Sequence, residues 1–219
     1  TLKESMENIQ TEVYSGVTYV SGTIAGKEVV AAVCGIGKVF AAICAEAMIL
    51  KYNVDCVINI GVGGTLCKEL GVMDVAVADQ VVQHDMNTSA LGDPIGLLSG
   101  LDQIFLPSDD KMRKLLCECL MEKGIKYKVG TIATGDLFIH KPTQKALLHE
   151  RFNAIACEME GGSIGHVCYV NEEFLFGCFA KNIGRSYYNL VVPRHGEQHA
   201  AVAGFGYHNR IIALQKTFV

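Results

Sequence analysis

The sequence has no Cys-x-x-Cys pair, no apolar run of membrane-spanning length and no arginine before Arg113. Each absence closes off a class of function. Nine cysteines, an odd count mostly set in apolar runs, read as buried reduced thiols and not as a disulfide framework. Cys117 and Cys119 stand two apart, but no His or Cys pair follows at ligand spacing, so no metal is expected. With neither a membrane-length run nor an opening signal segment, the chain is expected in the cytoplasm with no membrane partner. A net charge of -4 gives no reason to expect nucleic acid as a partner. The dinucleotide fingerprint is missing: Gly35-x-Gly37 leads to Phe40 and Gly61-x-Gly63 to Leu66, where a third glycine is required. No Gly-Lys-Ser/Thr occurs, so a P-loop is excluded and no cofactor is expected. No internal repeat, low-complexity tract or linker interrupts the chain.

What is present is 219 residues, 50% of them hydrophobic, enough for one sizeable core. A single domain over 1–219 is expected. The first residues look like the middle of a helix. Residues 12–24 read as one strand, 25–28 as a turn and 29–34 as a second strand. After Gly35-Ile36-Gly37, residues 38–51 read as a helix and 55–60 as a buried strand ending in a glycine turn at 61–64. A long strand at 72–84 is followed by an aperiodic functional loop at 86–108. Helices are expected at 109–123, 143–151, 160–171 and 198–217, and strands at 127–133, 153–159 and 174–180. This alternation predicts an α/β fold with a parallel or mixed sheet, whose ligands sit at the carboxyl ends of strands. The breaks at 35–37, 61–64 and 135 fall at such ends.

Glu158-Met159-Glu160 is the strongest local signal, because two acids in an apolar segment need a partner or a role. In an extended segment residues two apart share a face, so both carboxylates can point one way. A helix N-terminus explains an acid at 160 but not one at 158. Phe138 can stack on a planar ligand or simply fill the core. Gly61-Val62-Gly63-Gly64 lets a ligand approach the backbone or is a plain turn. His84-Asp85 reads as a polarised pair or a surface hydrogen bond at a strand end, and His166 as a core histidine.

Taken together, Gly35-Ile36-Gly37-Lys38-Val39, Asn59-Ile60-Gly61-Val62-Gly63-Gly64, Thr134-Gly135-Asp136-Leu137-Phe138-Ile139, Glu158-Met159-Glu160 and His166-Val167-Cys168 resemble the 5′-methylthioadenosine/S-adenosylhomocysteine nucleosidases of the purine nucleoside phosphorylase/nucleosidase superfamily. The resemblance runs from about Leu2 to Phe176. It implies a central twisted mixed β-sheet flanked by helices, a homodimer, and hydrolysis of the ribose–adenine bond of a small nucleoside in methionine salvage. It also implies that Glu160 binds the ribose hydroxyls, that Met159 packs on the sugar with Glu158 beside it, and that Phe138 and Ile139 hold adenine. Val62, Gly63 and Gly64 lie beside the base, and Ile36 lines the site.

The resemblance further implies a water-activating glutamate and a first sheet strand before Thr1; Glu4 and Glu7 align past that glutamate. The family's purine-protonating aspartate falls near Asn182, in a stretch where the similarity fades, and no aspartate follows Asp136. Residues 178–197 are expected to reflect a reading-frame error or divergence. No catalytic acid or base is therefore identified, and the chain is expected to hydrolyse methylthioadenosine poorly or not at all. Two alternatives stand beside hydrolysis. A nucleoside phosphorylase would need cationic groups for phosphate, where only Lys38 is at hand. The other is a non-catalytic nucleoside-binding relic of the fold. The 5′-substituent is not legible.

Overall fold

Two pairs of residues with positive φ cut the N-terminal part of the chain into antiparallel strands. The computed structural model describes residues 2–171, 175–182 and 210–214. A short 3-10 turn at Leu2–Ser5 leads into β1 (Glu7–Tyr14), β2 (Val17–Ile24) and β3 (Lys27–Val33). Ser15 and Gly16, then Ala25 and Gly26, take the backbone of two-residue hairpin turns, whose twist suits the flanking strands. The strand expected over 12–24 is therefore two strands, because a two-residue turn barely disturbs the alternation. The opening residues are a turn and a strand, not the middle of a helix.

Helix α1 (Lys38–Tyr52) buries Ala41, Cys44, Ala45, Met48 and Ile49, a stripe at three- and four-residue spacing. Asn53, left-handed at φ 50, ends it. Strand β4 (Cys56–Thr65) runs straight through the glycines expected to form a turn, and none of Gly61, Gly63 and Gly64 has positive φ. Strand β5 (Val75–Gln83) follows. The segment expected as an aperiodic loop at 86–108 holds a 3-10 turn at Ser89–Leu91, a bridge between Leu98 and Gln103, and β6 (Phe105–Pro107) paired with β5. Its short elements are below the length at which periodicity shows. Helix α2 (Asp110–Glu122) starts at Asp109, whose side chain accepts the Met112 N–H at 2.8 Å. Then come β7 (Tyr127–Thr134), α3 (Pro142–Phe152), β8 (Ala154–Glu158), α4 (Gly161–Val170), β9 (Leu175–Asn182) and β10 (Arg210–Leu214). The helix expected at 198–217 is contradicted where the structure describes it: Arg210–Leu214 is a strand, antiparallel to both β3 and β4, and the remainder lies outside the described residues. Here the sheet's open backbone groups outweigh local preference.

The sheet is mixed and runs β1-β2-β3-β10-β4-β8-β7-β5-β6, with β9 pairing both β4 and β5. Strands β4, β9, β5, β7 and β8 thereby form a closed circuit. Within the core, Tyr19, Met48, Val57, Ile132 and Ile164 are almost wholly buried in one cluster spanning the sheet, α1 and α4. Met48, Val57, Ile132 and Ile164 each contribute roughly 1.5–3 kcal/mol of apolar burial. Small residues at Gly161, Gly162, Ser163 and Gly165 let α4 lie close to the sheet. These contacts set the carboxyl ends of β3, β5, β7 and β8 near one another. No described helix is long and apolar enough to cross a membrane.

Candidate active site

Glu158 and Glu160 face different partners, although they stand two residues apart. Strand β8 stops at Glu158, and Glu160 has left the extended region at φ -132, ψ -43, one residue before α4. The strand expected to reach 159 thus ends early, and the shared face goes with it. Glu158 turns inward. Its Oε2 accepts the N–H groups of Glu160 at 2.9 Å and Gly161 at 2.6 Å, while Thr134 Oγ1 donates to its Oε1. Asn59 Nδ2 approaches Oε2 at 3.5 Å. The carboxylate that answers the positive end of α4 is therefore Glu158, the acid that a helix N-terminus was not expected to explain. Burial pushes the Glu158 carboxyl up, opposed by the Thr134 hydroxyl and the Gly161 and Glu160 amides.

Glu160 reaches across to the turn after β3. Its Oε1 accepts the Gly37 N–H at 2.8 Å and its Oε2 the Met159 N–H at 3.2 Å. Glu160 is 5% exposed, so the group is shielded rather than solvated. Burial first, and the Glu158 charge second, push its carboxyl up to about 7. Gly37 can meet it only as glycine: its φ is +94, and a Cβ there would lie 2.8 Å from Asp136 Oδ1.

Three sequence blocks converge on this point. Asp136 Oδ1 accepts the Lys38 N–H at 2.8 Å, tying the turn after β7 to the turn after β3. Gly135 N–H donates to the Glu158 carbonyl at 3.2 Å, and Gly162 N–H donates to Thr134 Oγ1 at 2.6 Å. Gly64 pairs with Cys157, bringing the glycine-rich end of β4 beside β8. Met159, Val62, Gly63 and Gly64 are half-buried here, and Ile36 is 56% exposed on the turn that carries Gly37. Phe138 is 60% exposed, its ring stacked on His140 with centroids 6.4 Å apart, so it is not core filler. Ile139 turns the other way, half-buried against the cluster of Leu148 and Phe152.

The histidines depart from their sequence readings. His84 is buried, not on the surface, and the Asp85 carboxylate turns to Lys38 and the Asp136 amide. His166 is half-buried with Nδ1 3.3 Å from Gln83 Nε2. Gly37, Asn59, Asp85, Thr134 and Asp136 complete the site and were not singled out as site residues from sequence. In the sequence Asp85 stands out only as half of a pair with His84, and the other four only as members of the glycine-bearing motifs. Asn182 is described only in its backbone, which pairs with Gly63. A buried acid of raised pKa, held by two amides beside exposed apolar side chains, can accept hydroxyl donors and stabilise a nearby cation.

Comparison with known proteins bears on this arrangement. A family model described as "Phosphorylase superfamily" matches residues 1–180. The chain is 36% identical to the aminodeoxyfutalosine nucleosidase of Campylobacter jejuni, over 76% of this chain and 72% of that one. It is 37% identical to the 5′-methylthioadenosine/S-adenosylhomocysteine nucleosidase of Shewanella halifaxensis, over 77% and 74%. Among solved structures, a Helicobacter pylori mutant of that nucleosidase type with 5′-methylthioadenosine in the active site is similar, with TM-score 0.79 and 32% identity over 83% of this chain and 78% of that one.

Proposed function

The chain belongs to the phosphorylase superfamily, and from that premise we propose that it is a nucleosidase, an N-ribosyl hydrolase that cleaves 5′-methylthioadenosine and S-adenosylhomocysteine to adenine and a 5-thioribose. The observation that carries this reading is Glu160: a shielded carboxyl at the carboxyl end of the sheet strands, anchored by the Gly37 and Met159 amides. Vicinal ribose hydroxyls donate to this carboxylate. Breaking the N-glycosidic bond builds positive charge on the sugar, and an acid on its hydroxyls strengthens its bonds as that charge grows. Met159 packs on the sugar. Phe138 and Ile139 hold the base, with Val62, Gly63 and Gly64 beside it and Ile36 at the mouth. Glu158 aligns the amides of Glu160 and Gly161 and positions Glu160 from behind. The purine acid and the water-activating base are not assigned to any described residue, so turnover by this chain is expected to be poor beside its binding.

The test is calorimetric binding of 5′-methylthioadenosine paired with an adenine-release assay. Glu160→Gln is expected to weaken binding by roughly tenfold or more. Adenine release is expected to be the same with and without phosphate. Release that requires phosphate would replace hydrolysis with phosphorolysis, and undiminished binding by Glu160→Gln would remove the sugar grip. A second reading, hydrolysis of aminodeoxyfutalosine, is favoured by the 36% identity to the Campylobacter relative. The same release assay with that nucleoside separates the two.

Three finer features belong to this reading. The activity serves methionine salvage in the cytoplasm, in keeping with eight described cysteines that are free thiols. The molecule is a homodimer. Val39 and Leu50 of α1 are 69% and 70% exposed, and with Ile43 and Val170 they line a groove of about 870 Å³ between α1 and α4. A contiguous apolar face of this kind suits packing against its own copy about a two-fold axis.

A further inference from the structure

We propose that Asp85 is a positioning residue of this site, closing a three-residue clasp that holds the Gly37 amide on Glu160. The proposal rests on the reading of Glu160 as the sugar-binding acid, and it adds a residue to which that reading gives no role. Asp85 follows the carboxyl end of β5. Its Oδ1 takes Lys38 Nζ at 2.7 Å and its Oδ2 the Asp136 N–H at 2.8 Å. Asp136 in turn accepts the Lys38 N–H at 2.8 Å. The ring is closed: Asp85 to Lys38, Lys38 to Asp136, Asp136 back to Asp85. It joins the turns that follow β3, β5 and β7. The amide next to Lys38 in the chain is Gly37, the donor to Glu160 Oε1.

The clasp is shielded enough to hold. The Lys38 and Asp85 side chains are 20% and 17% exposed, where a charge pair is screened less than on an open surface. Gln83 Oε1 takes a further bond from Lys38 Nζ at 3.3 Å. Below the ring, His84 supports the turn after β7: a Cβ at Gly135 would fall 2.4 Å from His84 Nε2. The adjacent pair His84-Asp85 thus fixes that turn twice, by its ring from beneath and by its carboxylate from the side. Asp85 makes no contact with Glu160 in this scheme. It acts through Lys38, Asp136 and the backbone of Gly37.

The test begins without ligand. Amide hydrogen exchange of Gly37 is expected to speed up by roughly tenfold in Asp85→Ala, while Ile132 and Val57 in the core strands are unchanged. Lys38→Met keeps the Asp85 bond to Asp136 and is expected to give a smaller change in the same direction. Unchanged Gly37 exchange in Asp85→Ala overturns the proposal, and so does equal acceleration at the core amides, which would mean general loosening. With ligand, Asp85→Ala is expected to weaken 5′-methylthioadenosine by roughly tenfold and adenine by less than about twofold. In a Glu160→Ala background the same change is expected to do nothing more. Equal loss for both ligands, or equal loss in both backgrounds, overturns the proposal. If Gly37 exchange responds as expected but the native chain binds no 5′-methylthioadenosine, the clasp stands and the nucleoside reading falls.

Discussion

Glu160 meets a conflict between its surroundings and its work. Its burial and the neighbouring Glu158 favour the protonated form, whereas hydroxyl donors favour the carboxylate. Nucleoside binding is therefore expected to strengthen as pH rises through about 7. Stability moves the other way. A carboxyl whose pKa rises from 4.5 to about 7 on folding holds its proton more tightly in the fold. Its contribution is full below about 4.5 and is lost as pH rises through about 7. Glu160→Gln removes the charge, so the variant is expected to lose less stability than the parent between those limits, by roughly 1–3 kcal/mol. Urea unfolding of ligand-free protein on both sides of the window measures it. Parallel pH curves for parent and variant would show that Glu160 does not titrate there.

Strand ends and one helix start bring these residues together, and their spacing is set by close packing of small residues. A Cβ at Gly162 would lie 2.8 Å from both Cβ and Oγ1 of Thr134 and 3.1 Å from Gln83 Cγ. Thr134 cannot yield easily, because its hydroxyl already serves Glu158 and the Gly162 amide. Gly162→Ala is therefore expected to push the start of α4 off β7 and to destabilise by roughly 1–3 kcal/mol. Because Glu158 and Glu160 hang on that helix start, nucleoside affinity is expected to fall with it. Urea unfolding and calorimetric binding on one preparation check both. A variant as stable as the parent would mean that α4 tolerates the added methyl and that its contact with Thr134 is loose.

At the scale of the molecule, the closed strand circuit fixes the site on one side, while the groove between α1 and α4 presents an apolar face. Leu50 is 70% exposed, so changing it costs little in the isolated fold. In the dimer proposed above, Leu50→Asp places an unpartnered charge in an apolar contact. The variant is expected to sediment as a monomer where the parent sediments as a dimer. A parent that is itself monomeric, or a variant that remains dimeric, would move the interface elsewhere or remove it.

The linear sequence by itself determined the order of the longer helices and strands between Lys38 and Val170, the three glycine-bearing blocks that meet at the site, and the presence of acids where an apolar segment tolerates none without a partner. Those features are local: hydrophobic period, glycine backbone freedom and the cost of a buried charge act within a few residues. Tertiary structure alone decided which acid does what. Glu160 takes its amide from Gly37, 123 residues away, and Asp136 takes the Lys38 amide from 98 residues away. No spacing rule links such partners, so Glu158 and Glu160 looked as though they shared one face, and Asp85 looked like half of a histidine pair. The glycines at 61–64 looked like a turn because what keeps them extended is the neighbouring β8 and β9 backbones. Arg210–Leu214 became a strand for the same reason: β3 and β4 offer unpaired backbone groups that only the assembled sheet brings within reach.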